Sequence, residues 1–87
     1  MQAAVEISMY PLTGEYRPTI QAFIDRLNTY PEVSVLTNAL STQIWGALDR
    51  VLAILAEEMR RAAVVGPQLV FVLKVLPGLE RSATAPT

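Results

Sequence analysis

Along this 87-residue chain the spacing of apolar residues changes four times, twice from every second position to the three-and-four spacing of a helix and twice back again. Alternation at every second position is the period of a strand with one buried face, whereas the three-and-four spacing is that of an amphipathic helix. Proline and glycine mark the places where the period changes. The pattern predicts strands at about 5–10, 33–37, 40–45 and 68–76, and helices at about 18–30 and 47–63.

The strand signals are clearest at the first strand and at a central hairpin. Val5, Ile7 and Met9 alternate with Glu6, Ser8 and Tyr10, and Pro11 then removes a backbone donor. Between the second and third strands only Asn38-Ala39 is left as a turn, and asparagine tolerates the positive φ of a tight hairpin. The sequence therefore predicts a two-residue hairpin.

Both helices carry one apolar stripe, which we expect to pack on the sheet. Pro18 suits a first helical turn, and Pro31 limits the other end of that helix. In the second helix we expect Glu57 and Arg61 to form an i,i+4 ion pair and Arg60-Arg61 to be a solvated end. The predicted stripes are Ile20, Phe23, Ile24 and Leu27 in the first helix, and Leu48, Val51, Leu52, Leu55, Met59 and Ala62 in the second.

The order β-α-β-β-α-β is the split-βαβ, or ferredoxin-like, pattern of the α+β class. Right-handed crossovers place the first and third strands at the centre of a four-stranded antiparallel sheet, with both helices on one face. We expect residues 1–78 to form a single domain. Residues 79–87, rich in Ala, Thr, Ser and Pro, are expected to be a disordered tail.

The composition excludes several classes of function. The chain has no histidine and no cysteine, so it cannot build a thiolate or imidazole metal site or a Ser-His-Asp device, and we expect no metal and no cofactor. Its net charge of -1 provides no broad basic field for nucleic acid. The apolar run 69–73 is far shorter than the roughly 20 residues of a membrane span, and no secretory signal is evident, so we expect a cytoplasmic protein.

Alternation also predicts which side chains lie on the sheet face that the helices leave open. Leu40, Thr42 and Ile44 are expected to face the helices, as are Phe71, Leu73 and Val75. The open face would then mix polar, aromatic and aliphatic groups, which favours a second sheet packed against it with a polar pocket at the interface. The groups predicted there are Glu6, Ser8, Tyr10, Ser41, Gln43, Trp45, Val70, Val72, Lys74 and Leu76.

Simpler interpretations of the same residues stay open. Glu6 and Lys74 could form an ordinary ion pair between neighbouring strands. Trp45 could be only an anchor between subunits, and the polar run 41–43 could be ordinary strand residues.

Three stretches, residues 7–12, 37–46 and 70–78, resemble the YkoF-type thiamine/hydroxymethylpyrimidine-binding proteins and the wider thiamine-binding protein family of single ferredoxin-like domains. The most specific of them is the run Leu-Ser-Thr-Gln-Ile-x-Gly at 40–46. The resemblance implies vitamin binding rather than catalysis, and sheet-to-sheet assembly. A single-domain chain would then form a homo-oligomer, a dimer or a dimer of dimers, through the open face. Trp45 departs from some relatives, which carry an acidic residue at that position.

The predicted ligand is thiamine or its hydroxymethylpyrimidine moiety, held on the open sheet face at the interface between subunits. An aminopyrimidine presents an amino donor and ring-nitrogen acceptors, and hydroxyl, amide and carboxylate groups can bind that edge. Tyr10 or Trp45 could stack on the ring, and aromatic faces attract a thiazolium cation. The candidate ligand-binding residues are Glu6, Ser8, Tyr10, Asn38, Ser41, Thr42, Gln43 and Trp45, of which Thr42 should point inward.

Two other functions remain possible from the sequence. The fold is compatible with a small dimeric enzyme, such as a monooxygenase or isomerase, in which Glu6 would be the general base. It is also compatible with a structural or regulatory oligomerisation module.

Overall fold

Four strands and two helices follow one another in the predicted order in a computed structural model, which describes residues 1–12, 17–65 and 68–79. Their bounds are β1 Gln2–Pro11, α1 Arg17–Leu27, β2 Ser34–Thr37, β3 Thr42–Ala47, α2 Leu48–Val65 and β4 Leu69–Pro77. The strands form one sheet in the order β2-β3-β1-β4, and all three pairings are antiparallel. The ferredoxin-like α+β fold and the central position of the first and third strands are confirmed.

The core lies between the sheet and the two helices. Val5 and Ile7 of β1 and Ile44 of β3 are buried against Phe23 and Leu27 of α1, as the alternation predicts. Val51, Ile54 and Leu55 of α2 complete this core. The ring of Phe23 also packs on that of Phe71 in β4, with 5.2 Å between the ring centres.

The hairpin between β2 and β3 differs from its prediction. β3 begins at Thr42 rather than at Leu40, and residues 38–41 form a four-residue loop. Leu40, predicted to face the helices, is 89% exposed. The reason is local: Asn38 closes the loop through its own side chain, so the strand pairing ends at Thr37 and Thr42.

Two further core predictions were wrong. Leu52 of α2 is exposed, because the buried stripe is rotated toward Val51, Ile54 and Leu55. Val75 of β4 is 40% exposed, because β4 is an edge strand and the helices pack mainly over β1 and β3.

The predicted tail begins at Leu79, which is exposed, but its residues 80–87 lie outside the described residues. In the part of the chain that is described, neither helix combines the length and the apolar character that crossing a bilayer requires.

Candidate functional site

β1 extends beyond its neighbour β3, and this leaves a gap in the sheet. The last pair between the two strands is Ile7 with Thr42. Residues 8–11 of β1 continue to pair with β4 on the other side, from Ser8 with Val72 to Pro11 with Leu69. In the part of the chain that the structure describes, no residue of β3 therefore lies beside the last four residues of β1.

The hydrogen-bond register determines which backbone groups face this gap. Leu12 N–H donates to the Gln68 carbonyl, and Gly78 N–H donates to the Gln2 carbonyl. Because backbone groups of a strand point alternately to its two neighbours, even-numbered residues of β1 bond to β4 and odd-numbered ones turn toward β3. The N–H and C=O of Met9 consequently face the gap, where β3 supplies no partner.

The gap opens into a cleft of about 400 Å³, here called the loop cleft. One wall is the end of β1, a second is α1, and the third is the hairpin loop. Apolar side chains from β1 and α1 combine with hydroxyl and amide groups from the loop, as is usual for small-molecule sites. Its lining residues are Ile7, Ser8, Met9, Tyr10, Pro11, Ile20, Phe23, Ile24 and residues 37–42.

Asn38 shapes the loop wall of this cleft. Its Oδ1 accepts hydrogen bonds from the backbone N–H of Leu40 at 2.8 Å and of Ser41 at 3.0 Å. Its backbone N–H donates to the Ser41 carbonyl at 3.0 Å. The acceptor of Asn38 is thus used within the turn, which leaves the side-chain NH2 group as the part that can reach a ligand.

Glu6 connects the loop cleft with the open face of the sheet. The Ser41 hydroxyl donates to Glu6 Oε2 at 3.2 Å, and Lys74 Nζ lies 3.5 Å from Glu6 Oε1. The ion pair between Glu6 and Lys74, which the sequence left as one interpretation, is therefore present. Because the Lys74 side chain is 75% exposed, this pair contributes little to stability and leaves both groups accessible.

A second, smaller recess lies in the middle of the open face and is here called the sheet depression. It has a volume of about 300 Å³. Ala4, only 6% exposed, lies in register between Trp45 of β3 and Leu76 of β4. Its lining residues are Ala4, Val5, Glu6, Gln43, Trp45, Lys74, Leu76 and Leu79.

The structure divides the eight predicted ligand-binding residues between these two recesses. Ser8, Tyr10, Asn38, Ser41 and Thr42 line the loop cleft. Thr42 is buried and faces inward as predicted, with its hydroxyl 3.2 Å from that of Thr37.

The other three, Glu6, Gln43 and Trp45, line the sheet depression. The sequence placed all but Asn38 and Thr42 on one continuous open face. The four-residue loop accounts for the difference, because it moves residues 38–41 away from the sheet and around the end of β1.

Sequence analysis missed a buried charged cluster between the helices. Glu58 of α2 is 1% exposed, and its carboxylate accepts from Arg26 Nε at 3.2 Å, Arg26 Nη2 at 3.1 Å and the Tyr30 hydroxyl at 2.5 Å. Arg61 Nε lies 3.4 Å from Glu58 Oε1. The signal was available, since Glu58 continues the three-and-four spacing of Val51, Ile54 and Leu55.

This cluster sets the charge state of Glu58. Burial alone raises the pKa of its carboxyl, but the hydrogen bonds from Arg26 and Tyr30, with the positive charges of Arg26 and Arg61, hold that pKa below its ordinary value. The hydrogen bond that Tyr30 donates to Glu58 has the opposite effect on the donor: it raises the pKa of the Tyr30 hydroxyl. Because Arg26, Tyr30 and Arg61 all contact this one carboxylate, the cluster joins α1, α2 and the segment after α1.

The predicted pair of Glu57 and Arg61 is present at 4.0 Å. Within residues 1–12, 17–65 and 68–79, no three acidic, histidine or cysteine side chains come together as metal ligands would.

No known protein family matches the sequence, and no curated protein matches it. Solved structures do. Protein SP2199 of Streptococcus pneumoniae superposes with a TM-score of 0.81 at 26% identity, over 91% of this chain and 89% of that one.

Two further solved structures are similar to this chain. One, from Thermotoga maritima and provisionally named a thiamine biosynthesis/salvage protein, has a TM-score of 0.78 at 15% identity, over 87% of this chain and 83% of that one. The other is a domain of unknown function, DUF77, from Bacillus cereus, with a TM-score of 0.77 at 17% identity, over 95% of this chain and 84% of that one. At these identities the likeness concerns the fold.

Proposed function

We propose that the chain is a non-catalytic binding protein for thiamine or its hydroxymethylpyrimidine moiety, and that the pyrimidine ring lies in the loop cleft. The observation that carries the proposal is the gap beside β1. There the N–H and C=O of Met9 lie at one edge of a cleft that also holds the hydroxyls of Ser8 and Ser41. Adjacent donors and acceptors above an apolar floor fit the edge and the faces of an aminopyrimidine.

Tyr10 and Glu6 extend this fit. Tyr10 is 55% exposed at the cleft, so its ring is available to stack on a flat ligand. Glu6, which already accepts from Ser41, offers a carboxylate to an amino group or a protonated ring nitrogen. A thiazolium placed toward Trp45 in the sheet depression would gain about 0.5–2 kcal/mol from the aromatic face.

The likeness to a protein named for thiamine biosynthesis or salvage supports the choice of ligand, together with the motif at residues 40–46. The absence of histidine supports binding rather than catalysis, because Glu6 is then the only carboxylate among the described residues that line either recess. Glu6 also has no second carboxylate there with which to divide acid and base roles.

We further propose that two copies associate through the open face. Val70, Val72 and Leu76 are 44%, 49% and 47% exposed on that face, and Leu76 lies beside Trp45 in the sheet depression. A second sheet would cover these three side chains and close the sheet depression over its polar groups. Light scattering at micromolar concentration should detect a dimer or a dimer of dimers, and a monomer at that concentration would contradict this part of the proposal.

Calorimetric titration with thiamine and with hydroxymethylpyrimidine tests the ligand. Both should bind, and both should raise the melting temperature, because a ligand specific for the native state stabilises it. Absence of binding at millimolar concentration of either compound would refute the proposal.

Substitutions locate the site. Ser41→Ala should weaken the binding of hydroxymethylpyrimidine by about fivefold to tenfold, the effect of losing one hydrogen bond of about 1 kcal/mol. Gln43→Ala and Trp45→Ala should weaken the binding of thiamine more than the binding of hydroxymethylpyrimidine. Both residues lie in the sheet depression, where only the thiazolium of thiamine would reach. Ser34→Ala, on the exposed edge strand β2, is the matched control and should bind like the native chain. If Ser41→Ala behaves like Ser34→Ala, the ring does not lie in the loop cleft.

A further inference from the structure

β4 is the long edge of the sheet. It runs for nine residues at the end of the strand order β2-β3-β1-β4, and it pairs with β1 along its whole length. No other described strand lies on its outer side. The opposite edge, β2, has only four residues.

The register identifies the unpaired backbone groups of this edge. Even-numbered residues of β4 bond to β1, as the bonds at Gln68 and Gly78 show. The odd-numbered residues Leu69, Phe71, Leu73 and Val75 therefore point their N–H and C=O groups outward. Four residues with eight backbone hydrogen-bonding groups make a complete template for another strand.

β4 is also apolar on both faces. On the open side Val70 and Val72 are exposed, and on the helix side Val75 is 40% exposed. Natural edge strands are usually protected by charges, prolines or short length. Here the only charged side chain within β4 is Lys74, and its ammonium group lies against Glu6.

We propose that β4 pairs in antiparallel orientation with β4 of a second copy, so that the two sheets continue into one. A two-fold axis at Val72 matches Leu69 with Val75 of the partner subunit, and Phe71 with Leu73 of the partner subunit. This register uses all four outward-facing residues. The pairing goes beyond the proposed ligand function and uses backbone groups that face-to-face association leaves unpaired.

Charge and the position of Pro77 disfavour two alternative registers. With the axis at Val72, Lys74 lies opposite the partner subunit's Val70. An axis at Lys74 would place two ammonium groups directly opposite each other, which destabilises a strand pair. Shifting the axis to Leu73 leaves Pro77 in a position that requires a donor, and proline has none.

Cysteine cross-linking tests the register, because the native chain has no cysteine. At the axis, two copies of Val72 form a directly opposed pair outside the hydrogen-bonded positions, with Cβ atoms about 4.5–5.5 Å apart, close to the span of a disulfide. Val72→Cys should give a disulfide-linked dimer under mild oxidation. Val75→Cys, on the same strand but away from the open face, is the matched control and should not. Equal cross-linking of both variants would refute the register.

Amide hydrogen exchange separates edge pairing from face-to-face association. The amides of Phe71, Leu73 and Val75 should become protected as the protein concentration rises, since only edge pairing gives them acceptors. Fast exchange of these amides in an oligomeric sample would overturn the proposal. So would protection that does not depend on concentration, because another part of the same chain would then cover the edge.

Val75→Lys provides an independent test, since it puts a charge on the edge at a position that lines neither recess. It should abolish the concentration-dependent protection while hydroxymethylpyrimidine binding stays unchanged. Unaltered protection in this variant would contradict edge pairing. If the native chain shows the concentration-dependent protection but does not bind hydroxymethylpyrimidine, the proposed function fails and the edge pairing stands.

Discussion

Glu58 shows how one residue can couple both helices to the segment that follows α1. Its buried carboxylate is neutralised by Arg26 and Arg61 and hydrogen-bonded by Tyr30. Glu58→Gln should lower the free energy of unfolding by about 1.5–3 kcal/mol, the range for hydrogen bonds to a charged group. The lower part of that range is expected because the Arg26 side chain is 43% exposed and water can solvate it after the change. Urea denaturation measures the difference.

The effect of Glu58 should depend on pH. Its folded-state pKa lies below the ordinary value of 4.5, so the carboxylate stabilises the fold fully above pH 4.5 and loses that contribution as the pH falls through the folded-state pKa. The stability difference between the native chain and Glu58→Gln should therefore shrink on acidification. Glu57→Gln, one residue away and exposed, should show little difference at any pH. A difference for Glu58→Gln that is constant from pH 7 to pH 3 would contradict the assignment.

Gly46 is constrained by space. A Cβ built at this buried position of β3 would lie 3.1 Å from Val33 Cγ1, 3.1 Å from Val51 Cγ2 and 3.2 Å from the Glu32 carbonyl oxygen. Because a backbone oxygen cannot rotate away, Gly46→Ala should cost about 1–3 kcal/mol of stability. Ser34→Ala, at the residue across from Trp45 in β2, should be nearly neutral. Equal melting temperatures for the two variants would show that the packing around Gly46 adjusts freely.

At the residue scale, the sequence predicted inward and outward side chains well wherever the strand register was right. Val5, Ile7, Thr42 and Ile44 are buried as expected. Glu58 was not included in the predicted stripe of α2, although its spacing from Val51, Ile54 and Leu55 fits that stripe. Its burial depends on Arg26 and Tyr30, which are 32 and 28 residues away in sequence, and no local pattern reports such contacts.

Among the elements, the β2–β3 hairpin matters most for the site. Asn38→Ala removes the acceptor for two backbone N–H groups of the loop, at Leu40 and Ser41. We expect a loss of about 1 kcal/mol in stability and a faster exchange of the Ser41 amide. Ligand binding should weaken as well, since the loop forms one wall of the loop cleft. Thermal melting and amide exchange test the first two effects, and an unchanged Ser41 exchange rate would contradict the role of Asn38.

The elements also show where sequence periodicity stops being informative. The order and type of all six followed from the change in apolar period. The hairpin length did not, because Leu40 and Ser41 continue the strand alternation although the Asn38 side chain has already closed a loop. Val75 was misplaced for a different reason: alternation indicates which face a residue occupies, but not how far the helices extend over an edge strand.

At the scale of the whole molecule, the two proposed contacts between copies use different parts of β4. Face-to-face association uses the side chains of Val70, Val72 and Leu76 on the open face. Edge pairing uses the backbone N–H and C=O groups of the odd-numbered residues, which point away from β1. Because the groups are different, both contacts can form in one assembly of four chains. Neither contact fills the loop cleft, which faces the hairpin loop and α1 at the end of β1.

The central claim is that an aminopyrimidine binds in the loop cleft, in the gap beside the end of β1. Titration of isotope-labelled protein with hydroxymethylpyrimidine, followed by backbone amide chemical shifts, tests it most directly. We predict the largest changes at Ser8, Met9, Tyr10 and Ser41, with Arg50 and Glu57 on α2 unchanged. No shifts at saturating ligand, or shifts concentrated around Glu58 between the helices, would contradict the account.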